Sequence, residues 1–261
     1  MRALQIAASG MAAQQTRVEV ISHNLANMST TGYNARRAEF ADLAYQQVTR
    51  PGTIAAADGT MVPAGVQMGL GVRPTAVTVT LAQGTILSTG GNLDVAIDGH
   101  GYLEITLPSG ISGYTRDGGL KRSADGQIVT SDGYALAPGI TIPTEARSVS
   151  ISAAGEVFAH FSDQVEPQNL GQITLANFVN EKGLEAIGSN LFLETPASGP
   201  PLVATPGEEG LGTLRQGYLE ESAVDPVREI SELIKAQRGY ELNSKVITAA
   251  DQMLGATVQV R

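Results

Sequence analysis

Apolar residues recur every seven positions at both ends of this chain. Near the start, Leu4, Met11, Val18 and Leu25 stand seven apart, and Ala7, Gln14, Ile21 and Met28 follow each of them by three. Near the end, Leu233, Tyr240, Ile247 and Leu254 repeat the spacing, interleaved more loosely with Ile230, Gln237, Ser244, Asp251 and Val258. Seven residues make two helical turns, so this recurrence is the seam of a helix packed on another helix. Neither helix has a partner beside it in sequence. The two must cover each other, be covered by other copies of the chain, or both. That is the layout of a subunit that polymerises.

The punctuation of the chain supports this layout. The first pattern predicts a helix over 3–29 in which Gly10 is a weak point. Thr30, Thr31 and Gly32 stop it, with Gly32 placed to turn left-handed. The last helix opens at Asp225-Pro226, where Asp caps free N–H groups and Pro forfeits no bond at the first helical position. Residues 50–74 are rich in Pro and Gly and lack a periodic pattern. They predict a flexible loop, or an extended arm or long hairpin ordered by neighbouring copies. From 75 to about 218 the pattern is β. Val77, Val79 and Leu81 alternate with threonines, and further strands are expected at 93–97, 102–107, 148–152, 156–161, 172–179 and 190–194. Asp-Gly pairs at 98–99, 117–118, 125–126 and 132–133 predict tight hairpins. Residues 196–213 read as a connection. The expected fold class is α+β and multi-domain. A coiled-coil-like helical domain spans 1–32 and 219–261, an arm or connector spans 33–76, and a mainly antiparallel β domain spans 77–218.

Charge follows the same division. Of the net −9, residues 41–218 carry −9, the first forty +2 and the last 43 −2. An acidic middle argues against nucleic acid as a partner. No stretch approaches the roughly 18 apolar residues of a membrane span. The opening MRALQIAASGMAA is a poor secretory signal, which favours the cytosol or export by a route that reads no cleavable peptide. There is no cysteine, so disulfides, thiolate metal sites and thiol catalysis are excluded. His23, His100 and His160 have no metal-type spacing. The Asp-Gly pairs lack the calcium-loop pattern and are better explained as turns. No carboxylate pair is singled out for glycoside hydrolysis. No catalytic residue, cofactor or metal is expected. The competing class, an enzyme acting on peptidoglycan, is disfavoured.

The residues also point to a family. SGMAAQQTRVEVISHNLANMSTTGYNARRAEF at 9–40 resembles the N-terminal signature of bacterial flagellar axial proteins, the rod and hook subunits. Its core is Asn24-Leu25-Ala26-Asn27 followed by Thr31-Gly32-Tyr33. The segment 217–254 resembles the family's C-terminal helix, with Gln237-Arg238 and Asp251-Gln252-Met253-Leu254 in place. The stretch 93–136 resembles its β domain. Within the family, the length and the stretch 45–77 look most like the distal rod members. Hook members are usually longer and lack this arm, and proximal rod members match it less well.

The resemblance implies a hollow helical homopolymer crossing the periplasm as a rod, transmitting torque and serving as an export channel. It implies secretion through the flagellum's own type III apparatus. The implied partners are further copies, proximal rod proteins, the hook protein, and the P-ring and L-ring proteins. Leu4, Met11, Val18, Ile21, Asn24, Leu25 and Asn27, with Ile230, Leu233, Gln237, Arg238, Tyr240, Ile247 and Leu254, are the expected assembly residues. Pro51, Gly52, Pro63, Gly69 and Gly71 are expected in a stiffening arm.

Overall fold

The computed structural model describes residues 2–50, 64–162 and 166–259. The chain divides into two compact units, one of residues 1–25, 36–78 and 225–261, the other of 26–35 and 79–224. The class is α+β: two terminal helices and many antiparallel strands.

The second unit is built from short strands. Its largest sheet has nine of them, all paired antiparallel. Tyr102–Thr106 lies at the centre, between Ser112–Thr115 on one side and both Ala135–Leu136 and Leu175–Asn177 on the other. Ala146–Ile151, Glu156–Phe161 and Gln168–Gln172 form a separate three-stranded meander. Thr213–Gln216 pairs with Val95–Asp98. Alternation sends Leu103, Ile105, Leu175, Val95 and Ile97 into one aliphatic core. Tyr102, Tyr114, Ala176, Phe178 and Phe192 fill a second cluster. Its rings meet edge to face, with Tyr114 and Phe178 centroids 4.8 Å apart.

A buried ion pair ties this unit together. Arg116 Nη2 donates to Glu220 Oε2 at 2.8 Å, and its Nη1 and Nη2 donate to the carbonyls of Gly101 and Gly99. The other Glu220 oxygen accepts from the Gly84 N–H. The segment after the first helix docks here too: the Gly32 N–H donates to the Glu220 carbonyl at 2.8 Å. Gly32 has φ +64°, and a Cβ there would lie 2.8 Å from the Arg116 carbonyl oxygen. Both facts demand glycine. Residues 26–35 therefore belong with the β unit, so the division falls at residue 25 and not at 32.

The Asp-Gly pairs separate into kinds. Asp125-Gly126 and Asp132-Gly133 turn paired strands, with positive φ at both glycines. Asp98-Gly99 joins strands that are not neighbours. At Asp117-Gly118 the glycine permits close approach instead: a Cβ on Gly118 would lie on the Val95 carbonyl, whose residue's N–H bonds the Gly118 carbonyl. Residues 202–204, expected within a connection, form a strand on Leu175–Asn177.

The first unit holds helix α1 (Arg2–Ala26) and helix α2 (Pro226–Gln259). α1 ends three residues before the expected 29, and Asn27 begins a turn in which Thr30 N–H bonds the Asn27 carbonyl. Asp225 caps α2 as expected, its Oδ1 accepting from the Val227 and Arg228 N–H groups. Among the described residues, the rest of the unit holds two strand pairs. Arg36–Asp42 pairs with Val72–Val79, and Tyr45–Thr49 pairs with Val66–Gly69. Of the stretch read as loop, arm or hairpin, residues 66–69 and 72–74 are β-paired. Pro51, Gly52 and Pro63 lie outside the described residues.

Candidate assembly surface

The two helices run antiparallel and meet at points between residues 10–24 of α1 and 229–243 of α2. Gly10 faces Asn243, Gly239 faces Gln14, Arg17 Nη2 donates to Glu232 Oε2 at 2.8 Å, and Asn24 Nδ2 donates to Glu229 Oε2 at 3.2 Å. Each step up α1 is a step down α2. The Glu232 carboxyl is held below the ordinary carboxylate range, first by its hydrogen bond from Lys235 and further by the charges of Lys235, Arg17 and Arg228.

On α1 the expected seam residues are turned inward except Met28, which lies beyond the helix and is exposed. Ala7 and Ile21 are buried, and Leu4, Met11, Gln14, Val18 and Leu25 are half-buried. On α2 half of it is displaced by one residue. Leu233 and Ile247 are half-buried, but Ile230, Gln237, Ser244 and Asp251 are exposed. Their neighbours Glu229, Ala236, Asn243 and Ala250 turn inward instead, and they too stand seven apart. Two of these inward residues are alanines, Ala236 and Ala250, both buried, and Gly239 lies against the Gln14 side chain. The signal lay in the sequence as a second, smaller heptad.

What the seam leaves outside is apolar. Among the described residues of α2, Val227, Ile230, Ile234, Tyr240, Leu242, Val246, Met253 and Leu254 are all exposed, Val227 at 76% and Leu242 at 63%. Arg238 is exposed beside them. The pair of Tyr45–Thr49 and Val66–Gly69, with Leu70 after it, does the same with Tyr45, Val48, Val66, Met68 and Leu70. A two-stranded ribbon is marginal alone in water. Gly69 sits opposite Tyr45 in this ribbon. The Tyr45 phenol is pushed above its ordinary value by its hydrogen bond to Asp42 and that residue's charge. Gly71 has φ +122°, and a Cβ there would strike the Ser9 hydroxyl, which accepts from the Val72 N–H at 3.2 Å. Exposed apolar side chains in this number make the two elements the candidate interface.

The Asn-Leu-Ala-Asn signature has a local task. Asn24 is 1% exposed, and its amide bonds the Arg36 backbone in both directions at 2.8 Å. It closes the path from helix to first strand. Asn27 Oδ1 accepts from the Thr30 hydroxyl at 3.1 Å. Of the expected assembly residues, Asn24 is thus spent on the subunit's own fold.

Three family profiles match the chain in order. The flagella basal body rod protein profile covers residues 4–34, the flagellar hook protein FlgE/F/G D1 domain profile covers 96–159, and the flagellar basal body rod FlgEFG protein C-terminal profile covers 215–260. They define the class as flagellar hook and rod subunits. Among full-length relatives, the flagellar basal-body rod protein FlgG of Caulobacter vibrioides is 56% identical over 100% of both chains. The FlgG of Agrobacterium fabrum is 50% identical over 97% of each, and that of Buchnera aphidicola subsp. Baizongia pistaciae is 44% identical over 97% of this chain and 96% of its own. The chain belongs to the FlgG family of flagellar basal-body rod proteins. These are structural components of the flagellar basal body and not enzymes.

Proposed function

We propose that this protein is the subunit of the distal rod, a rigid hollow helical tube that carries motor torque across the periplasm and serves as the export channel. The observation that carries the reading is the uncovered apolar length of α2, a helix of 34 residues or about 50 Å, on a chain that matches basal-body rod proteins throughout. The terminal helices pair in a coiled-coil-like manner within the subunit and offer their remaining apolar faces to the same layer in neighbours. Contacts that repeat head to tail without closing generate a filament. Leu4, Met11, Val18, Ile21, Leu25, Leu233 and Ile247 hold the pair, and Ile230, Gln237, Arg238, Tyr240 and Leu254 meet neighbours. The arm wedges between subunits and limits their sliding. The proximal rod, the hook, and the P-ring and L-ring proteins are its neighbours, and the flagellar type III apparatus delivers it.

The test is a deletion of residues 1–25, chosen to keep the docked segment 26–35. A soluble β unit that no longer forms tubes supports the assignment, and tubes from the truncated chain refute it. Removing about 47–64 should give a curved or flexible polymer, and a straight rod would overturn the role of the arm. Labelling along isolated basal bodies separates the distal rod from a proximal rod or hook position.

A further inference from the structure

Glycine weakens a helix, yet Gly10 sits inside α1 and Gly239 inside α2. Each lies opposite a primary amide of the other helix. A Cβ on Gly10 would stand 2.9 Å from the Asn243 side-chain oxygen, and a Cβ on Gly239 would stand 3.1 Å from the Gln14 amide carbon. Gly255, the other glycine of α2, faces nothing within 4 Å, so close approach is not general to glycines of these helices. The amides are not there chiefly for hydrogen bonds across the pair. Asn243 Nδ2 donates within its own helix, to the Gly239 carbonyl at 2.9 Å, and the buried Gln14 Oε1 has no donor among the described residues.

The spacing makes the arrangement reciprocal. Gly10 and Gln14 are four apart, and so are Gly239 and Asn243. In the observed register both amides fall in notches. A slip of four residues one way sets Gln14 against Asn243, amide on amide. The same slip the other way sets Gly10 against Gly239, notch on notch, and leaves a void. We infer that Gly10, Gln14, Gly239 and Asn243 form a two-notch register lock that determines how α1 and α2 pair. Polar seam residues fix register at a cost in stability. A four-residue slip keeps nearly the same face of α2 inward but moves it about 6 Å along α1, so the lock fixes the axial position at which the exposed residues of α2 are offered to a neighbouring copy. The inference rests on the proposed pairing of the terminal helices within one subunit.

The chain has no cysteine, so spin labels at Gln5→Cys and Ser231→Cys, both exposed and away from the notches, are unique. Pulsed electron resonance on the full-length monomer reads the distance between them. The parent protein should give one narrow distance. Gly239→Gln alone, which places amide on amide, should broaden it or displace it by up to about 6 Å, four residues of helical rise. Gln14→Gly combined with Gly239→Gln exchanges amide and notch and should restore the parent distance. Asn243→Gly with Gly10→Asn should do the same at the other notch. A narrow parent distance that Gly239→Gln leaves unchanged, or that neither exchange restores, overturns the lock while the pairing stands. A broad parent distance overturns the pairing and the lock with it.

Discussion

The two units of this chain bury different things. The β unit hides whole large side chains: Tyr102, Leu103, Ile105, Tyr114, Ile128 and Leu175 are each 2% exposed or less. The helical unit hides mostly small ones, Ala7, Ala13, Ala236 and Ala250, with Ile21 its one fully buried large apolar residue among those described in the helices. Folding free energy scales with apolar area removed from water, at about 25 cal/mol per Å². The β unit therefore holds its own core. The helical unit leaves many large apolar side chains exposed, Val227, Leu242 and Met253 among them. The lesson is that sufficiency and insufficiency are built into one chain, with the sufficient part inserted between the two insufficient ends.

Substitutions sharpen or break this contrast, and they fall in a clear order. Arg116→Ala leaves Glu220 charged, buried and unpaired, and should cost about 3–5 kcal/mol in urea denaturation. If the loss is under about 1 kcal/mol, the pair is not the tie described above. Leu103→Ala opens a cavity in the aliphatic core and should cost about 2–5 kcal/mol. Alkaline titration comes next. Burial, with Glu104 and Glu194 nearby, pushes the Tyr114 phenol up to about 12, from an ordinary value of 10.0. Above pH 10 the unfolded state releases this proton while the folded state keeps it. Stability contributed below pH 10 is thus lost as pH rises toward about 12, and Tyr114→Phe should flatten that part of the curve. A slope unchanged in the variant would assign the loss to another group. Smallest of all, Leu242→Ser on α2 should move monomer stability by no more than about 0.5 kcal/mol, because that side chain is 63% exposed. The same variant should raise the concentration needed for polymerisation, read by sedimentation. A large loss of monomer stability, with polymerisation intact, would reverse the contrast.

The sequence was most legible where one residue type answers one local demand. The cap at Asp225, the left-handed Gly32 and the seam of α1 all lie where pattern and conformational preference put them. These depend on neighbours within a few positions, and a heptad is a statement about one helix alone. The pairing of α2 was half legible. Hydrophobicity favours Ile230 over Glu229, and the seven-residue count from Ile230 then falls on Gln237, yet the buried residues are the neighbouring Ala236 and Ala250. Size at a helix contact is invisible until the partner's side chains are in place. Asn24 teaches the same point from the site: its signature identified the family, but its two bonds to the Arg36 backbone are a folding device.

By itself the sequence determined that both ends are amphipathic helices, that the middle is an acidic run of short strands, and that thiol chemistry is absent. Periodicity, turn residues and charge are local or additive, so they survive without coordinates. Only the tertiary structure decided that residues 26–35 dock into the β unit, that Arg116 and Glu220 meet 104 positions apart, and that amides of one terminal helix lie in glycine notches of the other. Those are long-range complementarities of shape and charge, and they exist only once the chain has brought its two ends together.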